Sequence, residues 1–439
     1  WPQKGGVYRW VVEAFGKKWG FLAIWLQWIE STIWFPTVLT FAAVSLAFMG
    51  PGQRWDEALA ANKWYVLIVV LCVYWAATLL NLRGMKTSAG VTKWGTIIGT
   101  IVPGAILILL GLGYWAGGNP ILLDMSWDKL VPDMSNFNNL VLAASIFLFY
   151  AGMEMSAVHV KDVDNPGRNY PLAILISAII TVLIFVLGTL AIGFIIPNSQ
   201  INLVQSLLIT YDSYFSFFGL GWMNWILALA LAVGVLAQVT AWVGGPSKGL
   251  YQVGLAGNLP PVMQKRNKNN VQMGILLIQG GIVTLLSIMF VIMPSVQSAY
   301  QIISQLTIIL YLIMYMLMFA SGIYLRYREP NTPRTFRIPG GRTFGMWVVG
   351  GLGLLASLAA FLVSFIPPNQ ITVGSSTMYV LLLVVGTFIF AGIPFIIHAM
   401  AKPSWKRPVD PEDAFEPFGW EKSNGSHSAA TPSHSISHE

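Results

Sequence analysis

Charged residues are scarce in this chain of 439 residues. Asp, Glu, Lys and Arg together make up 10% of the sequence, whereas hydrophobic residues make up 55%, and the mean hydropathy is +0.65. Soluble domains carry roughly 25% charged residues, because a polar surface must cover their apolar core. A soluble fold is therefore excluded, and the composition indicates a protein that crosses a lipid bilayer several times.

Cysteine is almost absent, and the common catalytic motifs are missing. Cys72, the single cysteine, lies in the apolar run LIVVLCVYW, so an intramolecular disulfide is impossible. No GxSxG, HExxH or Walker motif occurs, and His159 and His398 each stand alone near the end of an apolar segment. We therefore expect no metal, no cofactor, no enzymatic activity and no ATP-driven transport within this chain.

Long apolar runs, in contrast, are abundant. A transmembrane helix requires about 20 mostly apolar residues. Ten segments meet this requirement, at residues 19–49, 64–82, 94–116, 139–160, 171–196, 222–245, 273–293, 300–325, 344–366 and 377–401. The sequence therefore predicts an all-α polytopic membrane protein with ten transmembrane helices.

The basic residues are distributed asymmetrically between the predicted connections. Of the 25 Lys and Arg residues, all but Arg54, Lys63 and Lys129 lie in alternate connections or near the two ends of the chain. Because cytoplasmic loops carry an excess of Lys and Arg, this bias predicts that both ends of the chain are cytoplasmic. It also accounts for the net charge of +7 without a nucleic acid partner.

The last residues differ in character from the apolar part. Residues 1–401 are expected to form a transmembrane domain, and residues 402–439 a disordered cytoplasmic tail, because the stretch SNGSHSAATPSHSISHE has no apolar periodicity. Three of the five histidines lie in this tail, at His427, His434 and His438. The tail is either simply solvated or responsive to pH, since histidine titrates near pH 6.5.

The fourth predicted span contains a carboxyl group in the run FLFYAGMEMSA. Glu154 lies there among apolar residues, and a charge at the centre of a membrane helix costs about 2.5–3.5 kcal/mol on insertion scales. The neighbouring Ala151 and Gly152 weaken the helix, and a break there would free backbone groups to bind a ligand. Glu154 is either part of a binding site or a structural carboxyl group that joins two helices.

The first predicted span contains a polar stripe in the run LQWIESTIWF. Gln27, Glu30, Ser31 and Trp34 are separated by three, four and seven residues, which places them on one helix face. These side chains either line a cavity, with Glu30 coupled to transport, or form hydrogen bonds between helices without contacting a substrate.

Two further spans contain paired polar or aromatic residues. Gln238 and Trp242 are four residues apart in the sixth span, before a GGP sequence that predicts a helix break at residues 244–246. Tyr311 and Tyr315 share a face of the eighth span in the same way. Trp242 could form the wall of a site for an organic substrate that Gln238 hydrogen-bonds, or both pairs could serve only in helix packing.

The motifs GGVYRWV, FYAGMEMSAVHVKDVDNPGRNYPLA, VGGPSKGLY and RTFRIPGG extend over almost the whole chain to residue 401. Together they resemble the amino acid–polyamine–organocation superfamily, and within it the bacterial glutamate/4-aminobutyrate (GABA) antiporters of acid resistance. The resemblance implies twelve spans, of which the first ten form two inverted repeats of five helices. The chain begins at Trp1, and GGVYRWV resembles the region after the second family span, so the first two spans are expected to be missing.

The resemblance also implies where a substrate binds. By position in the motifs it places Glu154 beside the binding turn of a broken helix, and it assigns the turn and the cavity wall to Tyr150, Ala151, Gly152, Gln238, Trp242, Tyr311 and Tyr315. The family's tail can close the cytoplasmic mouth at neutral pH, a role that the three tail histidines would fit. The related antiporters often carry an acidic residue where Gln238 stands, so another amino acid or amine pair is the alternative substrate.

We therefore expect a secondary active transporter of the bacterial inner membrane that exchanges glutamate for 4-aminobutyrate by alternating access. Amino acids and the lipid bilayer are the expected partners, and a homo-oligomer is compatible with the sequence. A channel is the less favoured alternative, because no symmetric short filter motif is visible. An enzyme is disfavoured because the buried polar residues supply no convergent nucleophile, base or metal ligands.

Overall fold

The chain folds as a bundle of helices. The computed structural model describes residues 5–126 except 51, residues 141, 143, 146, 150–155 and 157, residues 163–408 except 335, 342 and 369–372, and residues 415–419. Every regular element within these residues is helical, and no strand occurs among them. The all-α class predicted from the sequence is confirmed.

Thirteen helices in the described part of the chain have eight or more residues, and the long ones coincide with predicted apolar spans. They are α1 (Gly6–Phe15), α2 (Lys17–Ala47), α3 (Gln53–Ala60), α4 (Lys63–Leu82), α5 (Met85–Thr96), α6 (Val102–Ala116), α7 (Pro166–Ile195), α8 (Ser206–Phe217), α9 (Asn224–Val253), α10 (Met273–Ser287), α11 (Val296–Arg328), α12 (Leu352–Val363) and α13 (Ser376–Met400). Single π-helical turns join α5 to α6, follow α9 and precede α12.

Nine helical stretches in the described part of the chain are long and apolar enough to cross a membrane. They correspond to nine of the ten predicted spans: α2, α4, α5 with α6, α7, α9, α10, α11, α12 and α13. The tenth, the predicted span at residues 139–160, lies mostly outside the described residues. The described helices are thus those of a multi-pass membrane protein, and the count of ten spans stays a prediction.

Helix α2 forms the centre of the bundle, whereas α7 lies at its edge. α2 packs against α1, α4, α9, α10, α11 and α13, and most of its residues are buried. In α7 only Ala191 and Phe194 are buried, and Leu175, Ile179 and Leu183 are more than half exposed. Apolar side chains on such a surface contact lipid, so polar groups on α2 are the ones that the protein itself encloses.

Glycines allow two helices to approach closely near the middle of the bundle. Gly99, in the π-helical turn between α5 and α6, faces Gly234 of α9; a Cβ atom at Gly99 would lie 2.3 Å from the Cα atom of Gly234. Small residues permit this kind of backbone contact in membranes, where van der Waals packing holds helices together. The contact fixes α9, which carries Trp242, against the continuous helix formed by α5 and α6.

The helix break predicted at residues 244–246 is wrong, because α9 continues past Pro246. Proline lacks the N–H group that would donate to the carbonyl oxygen four residues earlier, at Trp242. Two side chains bond the next carbonyl groups: Ser247 Oγ donates to that of Val243 at 2.6 Å, and Gln272 Nε2 donates to that of Gly244 at 3.3 Å. These contacts support the backbone beside the proline, and the helix keeps its course.

Part of the predicted disordered tail is folded. Residues 403–405 form a 3₁₀ turn, and the stretch 415–419 packs against α1. Arg9 donates to the carbonyl oxygens of Glu416 at 2.5 Å and Pro417 at 2.8 Å, and its guanidinium lies 4.3 Å from the ring centre of Phe418. The second stretch is held because Arg9 of α1 donates to carbonyl oxygens of the tail. Disorder of the tail as a whole stays a prediction. The histidines at 427, 434 and 438 lie outside the described residues.

Candidate functional site

Helix α2 carries polar side chains through the buried centre of the molecule. Gln27, Glu30 and Ser31 are all at least 95% buried. Their spacing puts them on one helix face, with Trp34 one turn further along. Ser31 Oγ donates to the carbonyl oxygen of Gln27 at 3.1 Å within its own helix. The Gln27 amide and the Glu30 carboxyl group are therefore the polar groups left to meet other elements.

The backbone around Gly152 departs from helical geometry. Ala151 and Gly152 form a turn, and Gly152 has a φ of +99°, a conformation that glycine adopts without steric cost. Its backbone N–H group donates to Tyr311 Oη of α11 at 2.5 Å. A Cβ atom at this position would lie 2.7 Å from the Trp242 ring. Both the backbone angle and the contact with α9 therefore require glycine here.

The carboxyl group of Glu154 connects this turn with two membrane helices. Its Oε1 atom accepts hydrogen bonds from Tyr311 Oη at 2.5 Å and from Gln27 Nε2 at 3.3 Å, and its Oε2 atom accepts one from Tyr315 Oη at 3.0 Å. The side chain is 8% exposed. Several donors to one buried carboxyl group offset the cost of removing it from water.

Glu30 adds a second buried carboxyl group to the same region. Its side chain is 4% exposed, and its Oε1 atom has no hydrogen-bond partner among the described residues. It lies near enough to Glu154 for the two carboxyl groups to interact electrostatically. Two like charges in a medium of low dielectric repel strongly, so a proton or a ligand's donor group would stabilise the pair.

Aromatic rings surround the carboxyl cluster. Trp34 of α2 and Trp242 of α9 meet with ring centres 5.8 Å apart, in an edge-to-face arrangement. On α11, Tyr315 lies 4.6 Å from Tyr311 and stacks on Phe319 at 5.9 Å. Aromatic pairs of this kind contribute roughly 0.5–1.5 kcal/mol beyond burial. They give the cluster rigid walls on three helices.

The structure brings most of the predicted site residues together. Gln27, Glu30, Gly152, Glu154, Trp242, Tyr311 and Tyr315 form one connected group, to which Trp34 belongs. Tyr150 and Ala151 are half-buried and precede Gly152 directly in the turn. Gln238 is different: its side chain is exposed, and it lies one turn before Trp242 without a hydrogen bond to this group among the described residues.

A buried polar network lies beside the site and was not predicted from the sequence. Trp28 Nε1 of α2 donates to Gln279 Oε1 of α10 at 2.7 Å, and Gln279 Nε2 donates to Tyr74 Oη of α4 at 3.1 Å. Gln279 is recognisable in the sequence as a polar contact between helices, since it is a lone amide in the apolar run GILLIQGGIV. The network joins three helices behind the stripe of α2 and holds that stripe in place.

The chemistry that this cluster offers is hydrogen bonding and charge. It combines two carboxyl groups, two tyrosine hydroxyls and a turn whose backbone is not committed to a helix. The described residues contain no group of three or more His, Cys, Asp or Glu side chains suited to hold a metal ion. Such an arrangement is able to bind the charged ends of a small zwitterion through backbone groups.

Comparisons with known proteins identify relatives of this chain. The sequence model of a family described as "Amino acid permease" matches residues 1–390. The chain is 38% identical to an uncharacterized transporter of Legionella pneumophila, over 90% of this chain and 84% of the relative. It is 32% identical to a glutamate/gamma-aminobutyrate antiporter of Lactococcus lactis, over 91% and 79%. It is 24% identical to a probable agmatine/putrescine antiporter of the same species, over 77% and 70%. All three relatives are named as transporters or antiporters.

Proposed function

Because the chain belongs to the amino acid permease family, we propose that it exchanges amino acids across the membrane, with glutamate and 4-aminobutyrate as the substrate pair. Family membership makes it a multi-pass membrane protein that transports amino acids and is not an enzyme. The choice of substrates rests on the relative named as a glutamate/gamma-aminobutyrate antiporter, at 32% identity over 91% of this chain.

The proposal rests above all on Tyr311, whose hydroxyl group forms hydrogen bonds with both Gly152 and Glu154. The hydroxyl group accepts from the backbone of the turn and donates to the carboxyl group. The turn from Tyr150 to Gly152, whose backbone departs from helical geometry, binds the substrate through backbone groups, as broken transporter helices do. Glu154 holds this turn against α11 and does not itself contact the substrate.

The position of the cluster between three helices supports alternating access. It joins helices α2, α9 and α11 through side chains that are far apart in sequence, so a substrate bound at the turn changes contacts on all three. Trp242 packs against the turn and forms the wall that a bound substrate meets. Rocking of one group of helices against the other about this point would open the site first to one side and then to the other.

Glu30 supplies the link to protons in this proposal. Its carboxyl group is buried, its Oε1 atom has no hydrogen-bond partner among the described residues, and it lies near Glu154. If the imported glutamate is decarboxylated inside the cell, that reaction consumes one proton, and export of the 4-aminobutyrate formed completes the cycle. This would place the protein in acid resistance.

The membrane and the orientation complete the proposal. The named antiporter relatives are bacterial, so the protein is placed in a bacterial plasma membrane. The connections rich in Lys and Arg face the cytoplasm, together with both ends of this chain. The tail then lies on the cytoplasmic side, where the stretch 415–419 contacts α1 and the three tail histidines act as a pH-dependent gate.

A second substrate pair has its own support. The chain is 24% identical to a probable agmatine/putrescine antiporter, and Gln238 is neutral and exposed. An exchange of other amino acids or amines is therefore the alternative. A neutral amide at this position adds no negative charge, so it does not by itself select between an amino acid and an amine.

Counterflow in proteoliposomes separates these possibilities. The purified protein is reconstituted with unlabelled 4-aminobutyrate, glutamate, agmatine or putrescine inside, and uptake of labelled glutamate is followed at pH 5.5 and 7.5. We expect uptake only with 4-aminobutyrate or glutamate inside, and faster at pH 5.5. Uptake driven by a diamine would favour the second pair, and no exchange with any amino acid or amine would contradict the transporter assignment.

A further inference from the structure

A pocket lies at the end of the bundle where α2 finishes and α3, α8 and α9 meet. Its volume is ≈ 190 Å³, and its lining includes Phe48, Asp56, Tyr211, Asp212, Asn224 and Trp225. Glu30 lies about 25 Å along α2 from the end of that helix, at ~1.5 Å per residue. The pocket is thus separate from the carboxyl cluster, and the proposed function makes no use of it.

The charge of this pocket is negative. Asp56 and Asp212 line it, and Glu57 lies beside them on α3. Burial raises the pKa of Asp56; a hydrogen bond from the Gly52 backbone lowers it, and the neighbouring Asp212 and Glu57 carboxylates raise it again. Burial also raises the pKa of Asp212. In both cases the ionised form is disfavoured, so a bound cation would stabilise the ionised pair.

One oxygen in this pocket is buried without a partner. The side chain of Asp56 is 5% exposed, and its Oδ1 atom has no hydrogen-bond donor among the described residues. The carboxyl group packs on Gly50, where a Cβ atom would lie 2.1 Å from Oδ1. The glycine therefore gives this oxygen its place in the pocket wall. A buried acceptor without a donor costs about 1–3 kcal/mol, so its presence points to a ligand that donates.

Asn224 adds a second unpaired acceptor. Its Nδ2 group donates to Asp212 Oδ1, which orients the amide, and its own Oδ1 atom is buried without a partner in the described part of the chain. The pocket thus presents oxygen acceptors from α3, α8 and α9. Tyr211 cannot serve as the donor, because its hydroxyl group donates to the carbonyl oxygen of Pro103 at 2.7 Å.

We propose that this pocket binds a small organic ammonium ion, with its N–H groups on Asp56, Asp212 and Asn224. The aromatic rings of Phe48, Tyr211 and Trp225 line the remainder and favour a cation that carries an apolar group. A bare metal ion fits less well, since the described residues contain no cluster of three or more metal-binding side chains. By the distribution of Lys and Arg, the pocket opens away from the cytoplasm.

Calorimetric titration of the purified protein with n-propylammonium tests the proposal. We expect binding that propanol, the neutral analogue, does not reproduce. Asp56→Asn and Asp212→Asn should each weaken it at least about tenfold, because a charge-assisted hydrogen bond is lost. Glu57→Gln is the matched control, since it removes the same charge one residue away from the lining and should weaken binding less than either aspartate variant. Glu154→Gln should also keep it, because the carboxyl cluster is elsewhere.

A measurement on the unaltered protein covers the case in which these variants do not fold. A ligand that binds only the folded protein raises its melting temperature. Propylammonium should raise the melting temperature of the detergent-solubilised protein, whereas propanol at the same concentration should not. The proposal is overturned if propylammonium gives neither a heat of binding nor a rise in melting temperature, if Glu154→Gln abolishes the binding, or if only Mg²⁺ or Ca²⁺ raises the melting temperature.

Discussion

Tyr311 Oη of α11 donates a hydrogen bond to Glu154 Oε1 at 2.5 Å and accepts one from the backbone N–H group of Gly152 at 2.5 Å. One hydroxyl group therefore holds both the carboxyl group and the turn beside it. Among the described side chains, Tyr311 is the one that forms hydrogen bonds with both. This shared contact makes Tyr311 the residue whose removal separates the effects of helix packing from those of the turn.

Tyr311→Phe should reduce exchange more strongly than Tyr315→Phe. It leaves the Gly152 N–H group without its partner and Glu154 with one donor fewer, a loss of about 1–3 kcal/mol that lowers the maximal rate roughly tenfold or more. Initial rates of glutamate uptake into proteoliposomes measure this. Tyr65→Phe removes a hydroxyl group that bonds Ala43, away from the site, and should keep the rate. Equal rates for Tyr311→Phe and the unaltered protein would refute the role of the shared contact.

Gly152→Ala should abolish transport while the protein still inserts into the membrane. The φ of +99° disfavours any residue with a Cβ atom, and the added methyl group would meet the Trp242 ring. We expect a cost of about 1–2 kcal/mol from the backbone alone. Gly281→Ala is the control, because a Cβ atom there meets open space. Uptake assays with matched amounts of protein report the result, and normal uptake by Gly152→Ala would contradict the proposed turn.

Trp242→Ala should raise the apparent KM for glutamate and change kcat less. The ring packs on the turn and on Trp34, so its loss opens the wall that a substrate meets without removing the groups of the turn. Trp115→Ala, at a position 58% exposed on α6, should change neither constant. Concentration series of uptake give both values. Unchanged kinetics in Trp242→Ala would return this tryptophan to a packing role.

The two parts of the tail can be tested separately. Removing residues 420–439 deletes the three histidines and keeps the contact of 415–419 with α1, whereas removing 409–439 deletes both. If the histidines gate transport, either deletion should extend activity towards neutral pH. If the contact with α1 gates it, only the longer deletion should. Uptake measured from pH 5 to 8 distinguishes them, and identical profiles for all three proteins would leave the tail without a gating role.

Gln279→Ala should destabilise the protein through the network behind α2. It removes the partners of Trp28 Nε1 and Tyr74 Oη, both buried, at a cost of about 1–3 kcal/mol for each unsatisfied group. The melting temperature of the detergent-solubilised protein should fall by several degrees. Gln238→Ala removes an exposed amide from a neighbouring helix and is the matched control for stability. A melting temperature equal to that of Gln238→Ala would show that the network contributes little.

Local pattern predicted much of the candidate site. The spacing of Gln27, Glu30 and Trp34 placed them on one face of α2, and the Ala–Gly pair before Glu154 marked the departure from helical geometry. The GGP sequence misled, because local propensity takes no account of Gln272 on a neighbouring helix, which donates to a carbonyl group beside the proline. Gln279 went unnoticed for a related reason: a single amide gives no periodic signal.

The sequence by itself determined that this chain crosses the membrane as helices and where nine of those helices run. Apolar length and scarce charge suffice for that, since lipid offers no partner to an unpaired backbone. Only the tertiary structure decided which side chains donate hydrogen bonds to the carboxyl group of Glu154. Its donors Gln27 and Tyr311 are 127 and 157 residues away along the chain. Periodicity orients residues within one helix and carries no information about which faces of separate helices meet; packing settles that.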